Sequence, residues 1–233
     1  MPLTKRLALA FSWLSAYRTV ADIGCDHGKL SAALAAEPGV GKVVASDISA
    51  QSLDKARALA EKRQLTGKLE LRLGDGLAVL SPGECEAAAV LGLGGEAMVK
   101  MLREAAPVAE RLRCLVLQPM SGTEELREWL YNSGYSVTAD RLVAENGRLF
   151  QMLAVHYTGE RDPWPEGFPP GCFLAGYTAF RDGDPLLGTF CRWQLSVRER
   201  KLGEAEGSVG AEKLENECRD LKTILARCEN GRN

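Results

Sequence analysis

Apolar positions along this chain follow two rhythms that alternate. Residues 5–17, KRLALAFSWLSAY, put Leu7, Ala10, Phe11 and Leu14 on one face at helical spacing, which predicts a short amphipathic helix. Short runs rich in aliphatic and β-branched residues follow at 19–23 (TVADI), 42–46 (KVVAS), 69–73 (LELRL), 87–91 (AAAVL) and 113–117 (RCLVL). The segments between them read as helices, notably 51–64 and 122–133. Strand and helix repeated in this way predict right-handed crossovers and a parallel sheet. Two further strand-like runs, 135–139 and 149–157, flank a segment containing Asn146-Gly147, a tight-turn dipeptide, and predict an antiparallel pair closing the sheet. The expected fold is α/β, a doubly wound sheet of seven mostly parallel strands.

Residues 159–171, GERDPWPEGFPPG, break the pattern with dense Pro and Gly. They divide the expected organisation into a unit at 1–159 and a helical unit at 160–233. In the second unit Leu186, Leu187, Phe190, Trp193 and Val197 share a helical face. Gly203, Gly207 and Gly210 then interrupt, and Leu214, Cys218, Leu221, Leu225 and Cys228 recur at steps of four and three. A helical hairpin of coiled-coil type is expected. It reads equally as a solvated appendage or as an arm that grips a macromolecular substrate or a second subunit.

Composition narrows the function. The 233 residues hold 29 Lys+Arg against 31 Asp+Glu, so no global basic field advertises nucleic acid, and an RNA partner needs a local patch. Seven scattered cysteines without a C-x-x-C pair suit a reducing compartment and give no zinc-site spacing, so no metal is expected. No signal-peptide pattern or long apolar run appears, and a soluble cytoplasmic protein without a membrane partner is the expectation.

The segment VADIGCDHGKL at 20–30 sits where the first strand meets the first crossover helix. Gly24 and Gly28 supply a tight turn that lets a ligand approach the backbone. Asp22 and Asp26 line it with negative charge, which repels a dinucleotide pyrophosphate but suits an α-ammonium beside a sulfonium. S-adenosylmethionine is therefore favoured over NAD. Asp47 and Asp75 stand at the ends of the next two strands, where the carboxyl ends of a doubly wound sheet line the binding crevice. Asp47 is placed for ribose hydroxyls, and Asp75, followed by Gly76, for an adenine amine. Each alone also reads as a helix cap.

Together LTKRL at 3–7, ADIGCDHGKL at 21–30, RLGDGL at 72–77, LGLGGEAM at 91–98 and LQPM with LREWL between 117 and 130 resemble the bacterial tRNA adenine-N1 methyltransferases that modify adenosine 22 of the D-arm. The resemblance covers residues 3–157. It implies a Rossmann-like class I methyltransferase fold with a C-terminal coiled coil, S-adenosylmethionine as cofactor and tRNA as substrate. Carried over by position, Asp22, Gly24, Asp26, His27 and Gly28 hold the methionine end, with Gly92 beside it. Asp47 and Ile48 hold the ribose side, and Asp75 and Gly76 the adenine. Asp26 and Gln118 are the catalytic candidates. Lys5, Arg6, Gly94, Gly95 and Pro119 are the candidate substrate contacts.

Two departures bear on the substrate. Leu93 replaces the family's usual Met, and Met120 replaces an Asn after the proline that would be a candidate for contacting the target base. A thioether packs on a base face but recognises its edge weakly. The missing Asn/Asp-Pro-Pro-aromatic motif fits a ring nitrogen as nucleophile rather than an exocyclic amine. A methyltransferase for a small molecule or protein, and a non-catalytic cofactor-binding module that contacts RNA, remain open alternatives at this point, as do the oligomeric state and the target tRNAs.

Overall fold

The computed structural model describes residues 2–204 and 210–230. Helix α1 (Lys5–Leu14) begins at Thr4, whose hydroxyl accepts from the Leu7 amide, and buries Ala10 and Leu14. It is followed by β1 (Thr19–Ile23), α2 (Lys29–Ala36), β2 (Lys42–Asp47), α3 (Ala50–Lys62), β3 (Leu69–Leu73) and a 3-10 turn (Gly76–Val79). Next come β4 (Ala87–Gly94), α4 (Gly95–Glu104), α5 (Ala106–Ala109), β5 (Cys114–Ser121), α6 (Thr123–Asn132), β6 (Tyr135–Glu145) and β7 (Arg148–Tyr157). The strands form one sheet in the order β3-β2-β1-β4-β5-β7-β6, with β1 to β5 parallel and β7 antiparallel to both of its neighbours. Val20, Ala21, Val43, Val44, Ala88, Ala89, Leu115 and Val116 are completely buried. Strands covered by helices on both faces need such unbroken apolar runs.

The expected element types all occur, but three strands run several residues past their expected ends. Strands β4 and β5 continue past residues 91 and 117, because Leu93 pairs with Pro119 and Gly94 with Ser121 across an irregularity at Gly92. Strand β6 runs to Glu145 rather than 139, since β7 pairs with it all the way to a turn in which Asn146 and Gly147 both have positive φ. These extensions carry the ends of β4 and β5 outward, where they wall the crevice.

Residues after Tyr157 close the edge of the sheet. The Asp162 and Asp184 carboxylates accept from the amides of Val137 and Leu142 on edge strand β6, and α7 (Tyr177–Arg181) packs beside them. Trp164 stacks on Tyr177 and meets Phe173 and Tyr131 edge-on. Beneath these rings Arg127 of α6 is fully buried. Its Nε and Nη2 donate to Asp140 at 3.0 and 3.1 Å, and its Nη1 donates to the carbonyls of Phe173 and Leu174. One apolar cluster thus runs from the sheet through Phe168 and Tyr177 into the last two helices.

Those helices, α8 (Leu187–Glu204) and α9 (Ala211–Asn230), pack together and are bridged by Arg198–Glu217 at 2.6 Å and Lys222–Glu199 at 3.0 Å. Helix α8 continues through Gly203, and the expected interruption at Gly207 lies outside the described residues. Cys218, Leu221 and Ile224 are the buried residues of α9, whereas Leu214, Leu225 and Cys228 are half-buried. Trp193, expected on the buried face of α8, is instead 52% exposed, because Leu187, Phe190 and Cys191 fill the contact with the body. No helix among the described residues is long and apolar enough to cross a membrane.

Candidate active site

The loop between β1 and α2 is folded by its own amides. Gly24 and Cys25 N–H both donate to the Ser46 carbonyl at the end of β2, and Gly28 N–H donates back to the Cys25 carbonyl. Gly24, Asp26 and Gly28 adopt positive φ. At Gly28 a side chain is excluded twice, by φ +68 and by Ala56 of α3, whose Cβ would lie 2.7 Å from an added Cβ. Gly24 differs, since a Cβ there would meet nothing within 4 Å, and its open side faces the crevice.

Asp22 is buried at the end of β1. Its Oδ2 accepts from the amide and the hydroxyl of Ser31 on α2, and no hydrogen bond engages Oδ1 among the described residues. Burial pushes the carboxyl up to about 6, the Ser31 hydrogen bonds oppose the rise, and Asp47 adds to it. Asp26 points outward with 71% of its side chain exposed and its Oδ2 2.6 Å from Nδ1 of His27. The Cys25 thiol is pushed up to about 12, chiefly by burial and then by Asp22, so it stays protonated and serves as packing.

Asp47 ties the first two strand ends together. Its Oδ2 accepts from the Asp26 amide at 3.0 Å and its Oδ1 from the Ser49 amide at 2.9 Å. Ile48 beside it is 74% exposed and Leu73, the register partner of Asp47 on β3, is 65% exposed, so two neighbouring strand ends present apolar side chains to solvent. Asp75 precedes the 3-10 turn without capping it, so its carboxylate is not taken by the helix end. It lines a shallow depression with Leu73 and Gly74, while Gly76 packs on Met101.

At the centre of the crevice a cavity of about 240 Å³ is lined by Arg6, Asp22, Gly24, Asp26, His27, Gly92 and Gln118, among others. Seven candidates drawn from segments far apart in sequence therefore meet there. Gly92 has φ +83 and open space where a Cβ would stand. Gly95 has the opposite environment, because an added Cβ would lie 2.0 Å from the Gly122 carbonyl oxygen, and Gly94 approaches Ser121. The two glycines let the β4 and β5 turns touch. Gly95→Ala is expected to cost about 1–3 kcal/mol by forcing these turns apart, measurable as a lower urea midpoint.

Gln118 is buried, with its Oε1 accepting from Arg6 Nη1 at 2.7 Å and its Nε2 donating to the Pro119 carbonyl at 2.8 Å. Arg6 also donates from Nε and from its backbone amide to Glu145, and stacks its guanidinium 4.1 Å over the Phe150 ring. Burial would raise the Glu145 carboxyl, but the Arg6 hydrogen bonds outweigh it and hold the group below its usual range. Arg6 is thus engaged within the protein rather than presented as a free phosphate contact, whereas Lys5 is exposed. Pro119 is buried, and Met120 is half-exposed with its sulfur 3.5 Å from Gln118 Nε2. Glu145, which sets the orientation of Arg6 and through it Gln118, has no sequence signal because it lies 139 residues from its partner.

A sequence profile of the family described as methyltransferase domain matches residues 3–153, more than half of the chain and the whole of this crevice. The chain belongs to this methyltransferase family. The tRNA (adenine(22)-N(1))-methyltransferase of Bacillus subtilis is 28% identical to this methyltransferase over 167 residues, covering 72% of the chain and 70% of the relative. The crystal structure of the B. subtilis m1A22 tRNA methyltransferase TrmK superposes with a TM-score of 0.80 at 22% identity, covering 98% of each chain. The structure of M. capricolum TrmK in complex with S-adenosyl-homocysteine superposes at 0.84 with 18% identity and coverage of 97% of this methyltransferase and 99% of that chain. These superpositions establish that the methyltransferase and its C-terminal helices share one fold with those enzymes.

Proposed function

We propose that this methyltransferase transfers a methyl group from S-adenosylmethionine to N1 of adenosine 22 in tRNA. The observation that carries the reading is the crevice in which Asp22, Asp26 and two open glycines meet Gln118 at the ends of β1, β4 and β5. The 28% identity to the B. subtilis enzyme supports the choice of substrate. The residues present fit the cofactor. Gly24 and Gly92 leave space where any other residue would intrude, the carboxylates match an ammonium and a sulfonium, and Ile48 with Leu73 offers apolar cover to an adenine. We assign the methionine end to Asp22, Gly24, Asp26, His27, Gly28 and Gly92, the ribose to Asp47 with Ile48, and the adenine to Asp75 with Gly76. We further place the protein in the cytoplasm, with residues 160–233 as a coiled-coil unit for RNA.

When bound, S-adenosylmethionine supplies an electrophilic methyl group on a sulfonium. Adenine N1 carries an in-plane lone pair and needs no prior deprotonation, so the chain's task is alignment, which can be worth about 7–11 kcal/mol. N1 lies on the Watson–Crick edge, and the base must leave any pair before it enters the crevice. Gln118, held by Arg6 and the Pro119 carbonyl, presents a fixed amide at the crevice wall. Met120 packs against the base face, taking the place of a hydrogen-bonding side chain. Asp26 stands at the mouth, where its carboxylate either stabilises the cationic methylated base or takes the amino proton from it afterwards.

The test is incubation of the protein with labelled S-adenosylmethionine and unmodified tRNA, followed by nucleoside analysis and mapping of the site. N1-methyladenosine at position 22 is the expected product, and cofactor binding without RNA methylation would show that Met120 marks a different substrate. Asp26→Asn is expected to weaken cofactor binding less than Asp22→Asn does, because Asp26 is exposed, while kcat falls by roughly a hundredfold, the scale of general acid–base assistance. Single-turnover kinetics beside calorimetric cofactor titration separates the two effects.

A further inference from the structure

Beyond the Gln118 wall lies a second, larger cavity of about 830 Å³, bounded by the end of β5, the β6–β7 turn, α6 and α8. Its volume falls inside the ~300–1,000 Å³ range of ligand clefts. Arg6 lines the cofactor cavity and Phe150 lines this one, so the guanidinium stacked at 4.1 Å on the Phe150 ring is the partition between them. Gln118, Pro119 and Met120 run along the same boundary, with Gln118 on the cofactor side and the next two residues on the other.

The lining has the chemistry of a nucleotide site. Trp193 is 52% exposed on α8, steadied by an edge contact with Phe190 at 6.0 Å between centroids. Arg148 on β7 is exposed, and its guanidinium makes no ion pair or hydrogen bond among the described residues. Arg198, by contrast, is already held by Glu217 and Gln194. Glu124 and Glu125 stand at the start of α6 on the same cavity, so it carries no net positive field and a phosphate would be held by the Arg148 guanidinium alone. An aromatic platform beside one uncommitted guanidinium matches a single base with its phosphate, since stacking is sequence-tolerant and a lone arginine secures one phosphate.

We infer that this cavity receives a nucleotide flanking the target adenine, its base stacked on Trp193 and its phosphate held by Arg148. The inference rests on the tRNA reading above. It gives the C-terminal helices a defined part, because α8 supplies the platform while β5 and β7 supply the side of the cavity shared with the catalytic crevice. The two adjacent pockets, parted by the Arg6–Phe150 stack, would then separate the target base from its neighbour.

The experiment uses the full chain and unmodified tRNA, measuring methylation kinetics together with RNA affinity from tryptophan fluorescence and filter binding. Trp193→Ala is expected to weaken tRNA binding and raise its KM roughly tenfold or more, with the affinity for S-adenosylmethionine unchanged. Trp193→Phe, which keeps a platform, is expected to restore most of that affinity. Arg148→Ala is expected to weaken binding and lower the salt dependence by the equivalent of about one phosphate contact. Both positions are exposed, so folded variants are expected, and unchanged circular dichroism checks this. If Trp193→Ala and Arg148→Ala both bind tRNA within twofold of a wild type that methylates it, the inference is wrong. A change in sedimentation behaviour with unchanged RNA affinity would instead make the cavity an interface between copies of the chain and would also overturn it. A wild type that neither binds nor methylates tRNA would defeat the functional reading itself.

Discussion

Arg127→Met is expected to destabilise the protein by about 3–5 kcal/mol, the cost of leaving one member of a buried ion pair without its partner. Arg127 is fully buried and Asp140 is 1% exposed, so removal of the guanidinium strands a carboxylate that water cannot reach. The carbonyls of Phe173 and Leu174 lose their donor in the same step. At roughly 2–4 °C per kcal/mol for a chain of this size, the melting temperature should fall by about 10 °C. Replacing both partners, as Arg127→Met with Asp140→Leu, should recover much of the loss, because apolar pairs can substitute for a buried ion pair. Gly176 sets a limit on that recovery, since its Cα faces the Asp140 carboxylate too closely for a larger side chain. A double mutant no more stable than Arg127→Met would show that the loss comes from the carbonyls rather than from the stranded charge.

Asp22→Asn should weaken S-adenosylmethionine binding by roughly 10- to 100-fold, the span of a charge-assisted hydrogen bond worth about 1.5–3 kcal/mol. The same site makes binding depend on pH in a direction that can be worked out. Burial holds the Asp22 carboxyl at about 6 in the folded chain, above its value when unfolded. Below that pH the group is neutral and cannot pair with an ammonium, so cofactor affinity should fall as the solution is acidified through pH 6. Stability of the free protein moves the other way. A folded value above the unfolded one means that this group stabilises the fold at low pH and that the contribution is lost as pH rises toward 6. Calorimetric titrations between pH 5 and 8 should show the affinity loss in wild type and a flat profile in Asp22→Asn. A wild-type profile as flat as the variant's would remove Asp22 from the cofactor site.

How much of this was legible beforehand depended on the range of the interaction. Strand periodicity located β1 and β3 to the residue, since alternation, β-branching and flanking glycines are local signals. The glycine turn was legible for the same reason, because Gly24 and Gly28 satisfy a backbone requirement written within a few residues. The acids at the strand ends followed from topology, as parallel strands deliver their carboxyl ends to one edge. Pairing across the sheet was less accessible. Strands β4, β5 and β6 ran beyond their expected ends because their neighbours extend that far, and a strand's length is set by its partner as well as by its own residues.

The sequence by itself therefore determined the α/β class, the hairpin turn at Asn146-Gly147, the glycine-bearing crevice and the acidic residues around it. Tertiary structure alone decided that Arg6 holds Gln118 and Glu145, that Arg127 and Asp140 pair beneath the aromatic cluster, and that Trp193 faces outward over a cavity. Helical spacing placed Trp193 with Phe190, but a helix face is buried only where another element covers it, and coverage is a property of the packed chain. Charges pair by distance in space, and Arg6 meets Glu145 across 139 residues of sequence that carry no trace of the contact.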